Sequence, residues 1–475
     1  MTNDSKHAQL NRARIVASIA ATVISLACGT NYVYSAWAPQ FADRLKLSST
    51  QSNLIGLSGN LGMYSLGVPI GIFVDTKGPR PAVIAGAILL ASGYFPLHQA
   101  FDHAAGSVPL LCFFSYLTGL GGCMAFAAAV KTSALNWPHH RGTATAFPLA
   151  AFGLSAFFFS LFGSVFFPGN TSAFLATLAI GTFGLPFVGF FFLRVLPPTG
   201  YRPVARPDPL LGSQELYRTE SEDAKHQAAH HAHNTSRFEP DIRGWQLLRM
   251  IDFWQLFCVM GILTGIGLMT INNIGHTVNA LWRHWDDTVD ENFLITHQQL
   301  HVSILSICSF TGRLLSGVGS DIIVKVLHGS RVWCLVISSL IFSMAQICAL
   351  SIENPHLLGF VSGLSGLAYG ILFGVFPSIV AETFGIHGLS QNWGLMTLSP
   401  VISGNVFNLF YGSVFDQHSV IGPGGERICH DGRGCYQAAY LVTLGACALG
   451  TVTTLWVIRH QHVTWAKEDK GEQED

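Results

Sequence analysis

Arg313 lies within the apolar run that closes on GRLLSGVGSD, eight residues before Asp321. At a rise of 1.5 Å per residue, that is about 12 Å inside the end of a helix. A guanidinium held there offers paired N–H donors to a carboxylate or phosphate. It could also reach a helix carbonyl and brace the structure. One turn earlier stands Ser309 rather than an acid. No Asp or Glu falls in the middle of any long apolar run, since Asp75, Asp321 and Glu382 all lie at run ends. A carboxylate proton relay is therefore not expected. Protons, if they move, would travel with the solute or on His276, whose ordinary pKa suits exchange near neutrality.

Other hydrogen-bonding side chains interrupt the apolar runs: Asn31, Tyr32, Tyr34, Trp37, Asn60, Tyr64, Asn272, Asn273, His276, Tyr369, Asn405 and Asn408. With Arg313, the residues expected to meet a hydrophilic solute are Asn31, Tyr34, Asn272, His276, Tyr369 and Asn405. Polar side chains also tie membrane helices to one another, so each has a structural reading beside the functional one. No nucleophile–base pair or metal-type spacing is present. Nor does a Gly-rich loop run into Lys-Ser or Lys-Thr. An enzyme, a cofactor, a metal site and ATP drive are not expected.

The elements that must position these groups are legible as apolar runs. The chain is 49% hydrophobic and 11% charged, where a soluble domain averages about 25% charged. A bilayer core of about 30 Å takes roughly 20 apolar residues per helix. Twelve runs meet that length: 15–38, 52–74, 82–101, 108–130, 142–166, 172–195, 251–275, 298–320, 332–352, 356–381, 393–415 and 436–458. This is an all-α membrane protein of twelve transmembrane helices. A polar tail, 1–14, precedes a six-helix unit, 15–195. A linker, 196–250, is expected to be largely disordered, and a second six-helix unit, 251–458, precedes a tail, 459–475. His226, His230, His231 and His233 in the linker could bind a metal weakly but read better as solvated chain. Twenty of the 26 Lys and Arg fall on the side of the two termini and five on the other, which puts both termini in the cytosol. The opposite side then holds Cys429 and Cys435, a disulfide candidate in a compartment that permits one. No basic patch interleaved with aromatics suggests nucleic acid. The expected partners are a small solute and the bilayer, with the chain a monomer.

The two units repeat. Asp75 and Asp321 are 246 residues apart, Gly119 and Gly366 are 247 apart, and Gly142 and Gly394, each with a Pro six residues on, are 252 apart. Two such bundles enclose a central site and expose it to one side, then the other. The charged connection GIFVDTKGPRP, Gly71–Pro81, reads as a latch on the terminal side. Asp75 would satisfy the free N–H groups and positive dipole end of the eleventh helix. Gly71 would admit a neighbouring backbone, Gly78 turns the chain, and Arg80 holds it at the surface. By the repeat, Gly317 and Asp321 are the counterparts, with Asp321 facing the start of the fifth helix near Arg141.

GIFVDTKGPRP and GRLLSGVGSD resemble the two signatures of the major facilitator superfamily. NYVYSAWAPQF, GIGLMTINNIGHTVNAL, YGILFGVFPSIVAETFG and NWGLMTLSPVISGNVFNLFYGSVFD resemble its nodulin-like transporters of plants and fungi. This implies two pseudo-symmetric six-helix bundles and a carrier in the vacuolar or plasma membrane. Arg313 is similar in place to the eighth-helix Arg of monocarboxylate carriers, which implies a small organic anion. The acid that family carries one turn earlier is here Ser309. The rival expectation is a non-transporting receptor or scaffold on a carrier fold, recruiting partners through the linker or the tail KEDKGEQED.

Overall fold

The computed structural model describes residues 3–137, 141–196, 242, 244–286, 288–385, 389–422 and 427–474. Most of the expected linker, with His226, His230, His231 and His233, lies outside them, as do the side chains of Asp75 and Arg141.

Each apolar run forms a helix. The first span is Asn3–Cys28 continued by a 3-10 stretch, Thr30–Ala36, and the second is Ser49–Ser65 with Gly67–Lys77. The third to sixth are Pro79–Asp102, Val108–Asn136, Arg141–Phe166 and Thr171–Phe192. The second half repeats the pattern with Ile251–Trp285, Glu291–Lys325, Trp333–Ser351, Gly359–Phe384, Leu389–Met396 with Leu398–His418, and Gln437–Glu474. Ten of these are long and apolar enough to cross a bilayer, and the bent second span makes eleven. The remaining crossing is the eleventh, whose Asn405, Asn408 and serines dilute its apolar character. The last helix continues to Glu474, past the expected end of the bundle at 458. Twelve crossings return the chain to its starting side, called here the terminal side, with the far side opposite.

The repeat reaches individual contacts. A Cβ on Gly119 of the fourth span would overlap the Gly59 carbonyl oxygen of the second. A Cβ on Gly366 of the tenth would overlap the Leu305 carbonyl oxygen of the eighth. Gly59 and Leu305 are themselves 246 residues apart. Small residues let the second and fourth helices, and their copies, pack backbone to backbone.

Three breaks in the spans place side chains at the centre. The first span leaves its α-helix at Gly29, where a Cβ would overlap the Phe152 carbonyl oxygen of the fifth span. The 3-10 stretch that follows ends at Ala36, and the next helix, Ala38–Leu45, has Pro39 in its first turn. The second span bends by 46° at Leu66, and the eleventh breaks at Thr397. These last two breaks meet: a Cβ on Gly67 would stand 3.4 Å from the Gly394 Cα.

That meeting corrects the expectation for Gly71 and Gly317. Nothing lies within 4 Å of a Cβ built at either glycine. The bend at Leu66 brings the two spans together at Gly67, one turn before Gly71. Gly78, with φ of 84°, makes the turn expected of it. Arg80 stays within its own half, over the Phe190 ring at 4.5 Å and donating to the Phe190 carbonyl at 3.4 Å. Among the described residues Asp321 pairs with Arg331 at 2.8 Å, while the side chains at the start of the fifth helix, where it is expected to face Arg141, lie outside them. Arg331 follows the eighth span by a short return and also binds Glu382 and the Ser320 hydroxyl. Burial opposes the Arg331 charge, but Glu382 and Asp321 hold its pKa above the ordinary guanidinium value.

Candidate functional site

At the centre, three tyrosines from both halves bring their hydroxyls together. Tyr32 of the first span lies 3.1 Å from Tyr64 of the second and 3.2 Å from Tyr369 of the tenth, oxygen to oxygen. Tyr64 and Tyr369 are 3.3 Å apart, which closes the triangle. The 3-10 stretch after Gly29 turns Tyr32 toward the other half, and its ring meets Tyr369 edge-on at 5.7 Å. A hydroxyl both donates and accepts, so the ring satisfies itself. Beside it lies a void of about 20 Å³ bordered by Gly153, Ser306, Ser309 and Gly366, room for about one water.

Arg313 stands next to this ring. It is 8% exposed, and Nη1 donates to the Leu149 carbonyl of the fifth span at 2.8 Å. Nε has no partner. The guanidinium lies 5.6 Å from the Phe152 ring centre and 6.0 Å from that of Phe373. Those two rings in turn contact Tyr32 and Tyr369, at 5.6 and 4.8 Å. No salt bridge to Arg313 occurs among the described residues. A charge in the middle of a span costs about 2.5–3.5 kcal/mol even by the lower scale. The repeat counterpart of Arg313, 246 residues earlier, is Gly67. One seam between the halves thus has a glycine contact where the other has a cation.

The remaining expected residues divide. Asn31 donates to the Gly59 carbonyl at 2.9 Å and accepts from Thr118, which ties the first span to the second and fourth. Tyr34 donates to the Ser52 carbonyl at 2.6 Å, with its ring against Gly56, and is a packing residue of the first half. Asn405 donates to the Val401 carbonyl of its own helix at 2.6 Å. Asn272 and His276 are buried one turn apart on the seventh span, and Asn272 Nδ2 and His276 Nε2 lack partners. An unpaired buried polar group costs about 1–3 kcal/mol, so both mark a polar face toward the far side. The sequence list omitted Tyr32 and Tyr64 from the site, along with Phe152 and Phe373. Tyr32 stands three residues after Gly29, whereas Tyr64, Phe152 and Phe373 carry no local sequence signal for the site.

Toward the far side the halves are closed. A Cβ on Gly275 of the seventh span would overlap the Ser35 carbonyl oxygen of the first. A Cβ on Gly412 of the eleventh would come within 2.8 Å of Thr50 Cα. Above this seal a cleft of about 600 Å³ opens outward, bordered by Asp43, Arg44, Asn170, Asp290 and Glu291. Cys429 and Cys435 are joined in a disulfide on the same side. Among the described residues no group of three or more His, Cys, Asp or Glu is placed to hold a metal.

The family model for the Major Facilitator Superfamily matches residues 19–281. The chain is 28% identical to an uncharacterized membrane protein of Saccharomyces cerevisiae, over 94% of each sequence. It is 25% identical to a protein of Gibberella zeae named "Probable transporter MCH1", over 90% of this chain and 86% of that one. Among solved structures, a bacterial homolog of the human lysosomal transporter Spinster, inward-facing and unoccupied, superposes with a TM-score of 0.62 at 15% identity. That match covers 94% of this chain and 97% of the other. The nucleoside transporter NupG gives 0.58 at 14% identity, over 94% and 98%. At such identities these two structures speak for the fold alone.

Proposed function

We propose that this chain, which belongs to the major facilitator superfamily of membrane transporters, carries a small organic anion, a monocarboxylate in the favoured case, by alternating access. One observation carries the reading: Arg313 is buried at the meeting of the halves with a free Nε and, among the described residues, no acid paired with it. A carboxylate would take the two donors in parallel, an interaction about twice as strong as a neutral hydrogen bond. The Phe152 and Phe373 rings flank the guanidinium, and the Tyr32, Tyr64 and Tyr369 hydroxyls lie near enough to meet the solute's other end. Because one site draws on both halves, rocking them would break the far-side seal and re-form contacts on the terminal side.

The nodulin-like resemblance supports a vacuolar or plasma membrane carrier with the terminal side in the cytosol, and fungal relatives named as probable transporters support a carrier. Asp75 would latch that side by meeting the positive end of the eleventh helix. Arg331 would serve the same latch by holding Asp321 and Glu382 together at the end of the eighth span. Uptake of radiolabelled monocarboxylates into proteoliposomes tests the reading. Arg313→Ala should abolish uptake and Arg313→Lys, which keeps charge but loses the paired donors, should only weaken it. Undiminished uptake by Arg313→Ala would remove the anion assignment.

A further inference from the structure

The far mouth is held by a side chain outside the site described above. Asp416, at the far end of the eleventh span, accepts from the backbone N–H of Ser49 at 2.8 Å and of Thr50 at 3.0 Å, and from the Thr50 hydroxyl at 2.6 Å. Those two N–H groups open the helix Ser49–Ser65 and have no partner within it. Ser48, in a capping box with Gln51, satisfies the Gln51 N–H from within the same half. So the first turn of the second span is completed by a carboxylate that the other half supplies. Charge and helix dipole favour this contact together.

A second partner stands ready. Arg427 Nη1 lies 4.0 Å from Asp416 Oδ1, too far for a hydrogen bond and close enough to become one with a small rotation. Arg427 belongs to a short hairpin in which Val420 pairs with Ile428 and Ile421 with Arg427. The next residue but one is Cys429, whose disulfide to Cys435 pins that hairpin to the start of the twelfth span. Arg427 therefore moves with the second half, as Asp416 does, while Ser49 and Thr50 move with the first. His276 of the seventh span packs beside this end of the eleventh, its ring 5.5 Å from that of Phe415. Among the described residues the opposite seam lacks this arrangement. There the position 252 residues before Asp416 is Ser164, and the contact across the mouth is the neutral Asn292 against Gly169.

We infer that Asp416 is the closing residue of the far mouth and that it has two positions: cap of the second span when the mouth is shut, ion pair with Arg427 when the halves part. This rests on the alternating-access reading but not on the solute. The exchange keeps the carboxylate partnered in both positions, so the mouth can open without stranding a charge. Closing and opening then differ by one set of hydrogen bonds rather than by a large apolar seal.

The test is far-side labelling of Asn53→Cys by a membrane-impermeant maleimide in proteoliposomes of the full chain, corrected for the chain without that cysteine. Asn53 is buried beneath Gly412 on the closed seam and reacts only when the mouth opens. Asp416→Asn, which keeps the shape but loses the charge, should raise the labelling rate about tenfold. Arg427→Ala should lower it several-fold, because the open state loses its partner. In the Asp416→Asn background Arg427→Ala should have no further effect. Asp416→Glu should stay near the parent rate and reports on folding. If the parent labels measurably and neither variant changes the rate, or both change it in one direction, the two-position switch is wrong. Absence of labelling in every variant would overturn it together with alternating access.

Discussion

Replacing Arg313 with Gln separates binding from bracing. In the closed protein the change removes one charge-assisted bond to the Leu149 carbonyl, about 1.5–3 kcal/mol. It also removes two ring contacts near the distance limit, about 0.5–1 kcal/mol each. Against that loss, about 2.5–3.5 kcal/mol spent on holding a charge in the span is recovered. The terms nearly cancel, so thermal stability without solute should change by no more than about 2 kcal/mol. Solute binding should behave differently. Two charge-assisted bonds at about 1.5–3 kcal/mol each correspond to a hundred- to ten-thousandfold loss of affinity. The assay is a thermal-shift titration in nanodiscs with parent and Arg313→Gln protein. The expected pattern is an unchanged melting temperature and no solute-induced rise for the variant. A melting temperature lower by many degrees with the solute-induced rise intact would show that Arg313 is a brace, and the anion reading would fail.

Breaking the tyrosine ring is the second expectation: Tyr64→Phe or Tyr369→Phe leaves two hydroxyls short of a partner and should cost about 1 kcal/mol in melting experiments. The same variants should alter KM for solutes bearing a hydroxyl more than for those without one. Gly119→Ala and Gly366→Ala should each destabilise by about 1–3 kcal/mol or more, because the added methyl overlaps a backbone oxygen that cannot swing aside. Leaving either variant's melting curve unmoved would contradict the close packing of the second and fourth helices and their copies. Replacing Cys429 and Cys435 with Ser opens a loop of sequence separation 6 and should cost about 2 kcal/mol by chain entropy. That change should lower the melting temperature of the oxidised protein and leave a reduced sample unaffected.

Run length sufficed to find the twelve crossings, because a bilayer imposes a length on every helix and leaves few alternatives. Even the break-rich first, second and eleventh spans were found this way. The breaks themselves were missed. Pro69 in SLGVPIG has no N–H for the Ser65 carbonyl and is the cue to the bend at Leu66, a cue that went unread, so the close approach was assigned to Gly71 when it occurs at Gly67. Arg313 was legible because a lone charge in an apolar run is costly enough to need a reason. Asn31 and Tyr34 looked the same as Tyr32 in sequence, yet the 3-10 turn after Gly29 sends Tyr32 to the centre and the other two into the first half. The tyrosine ring joins positions 337 and 305 residues apart, which local pattern does not connect. Asp416 escaped notice for a different reason. The capping chemistry was sought at the terminal end of the second span, whereas the observed cap is at its far end and the acid comes from its partner helix.

The most direct measurement of the central claim needs no mutation. Purified protein is titrated with a panel of small carboxylates, each beside its own primary amide, and the melting temperature is followed. Ligand binding adds RT ln(1 + [L]/Kd) to stability, about 2.7 kcal/mol at a hundred times Kd. At least one carboxylate should raise the melting temperature where its amide, equal in size and neutral, leaves it unmoved. Equal stabilisation by acid and amide would mean that Arg313 does not select an anion.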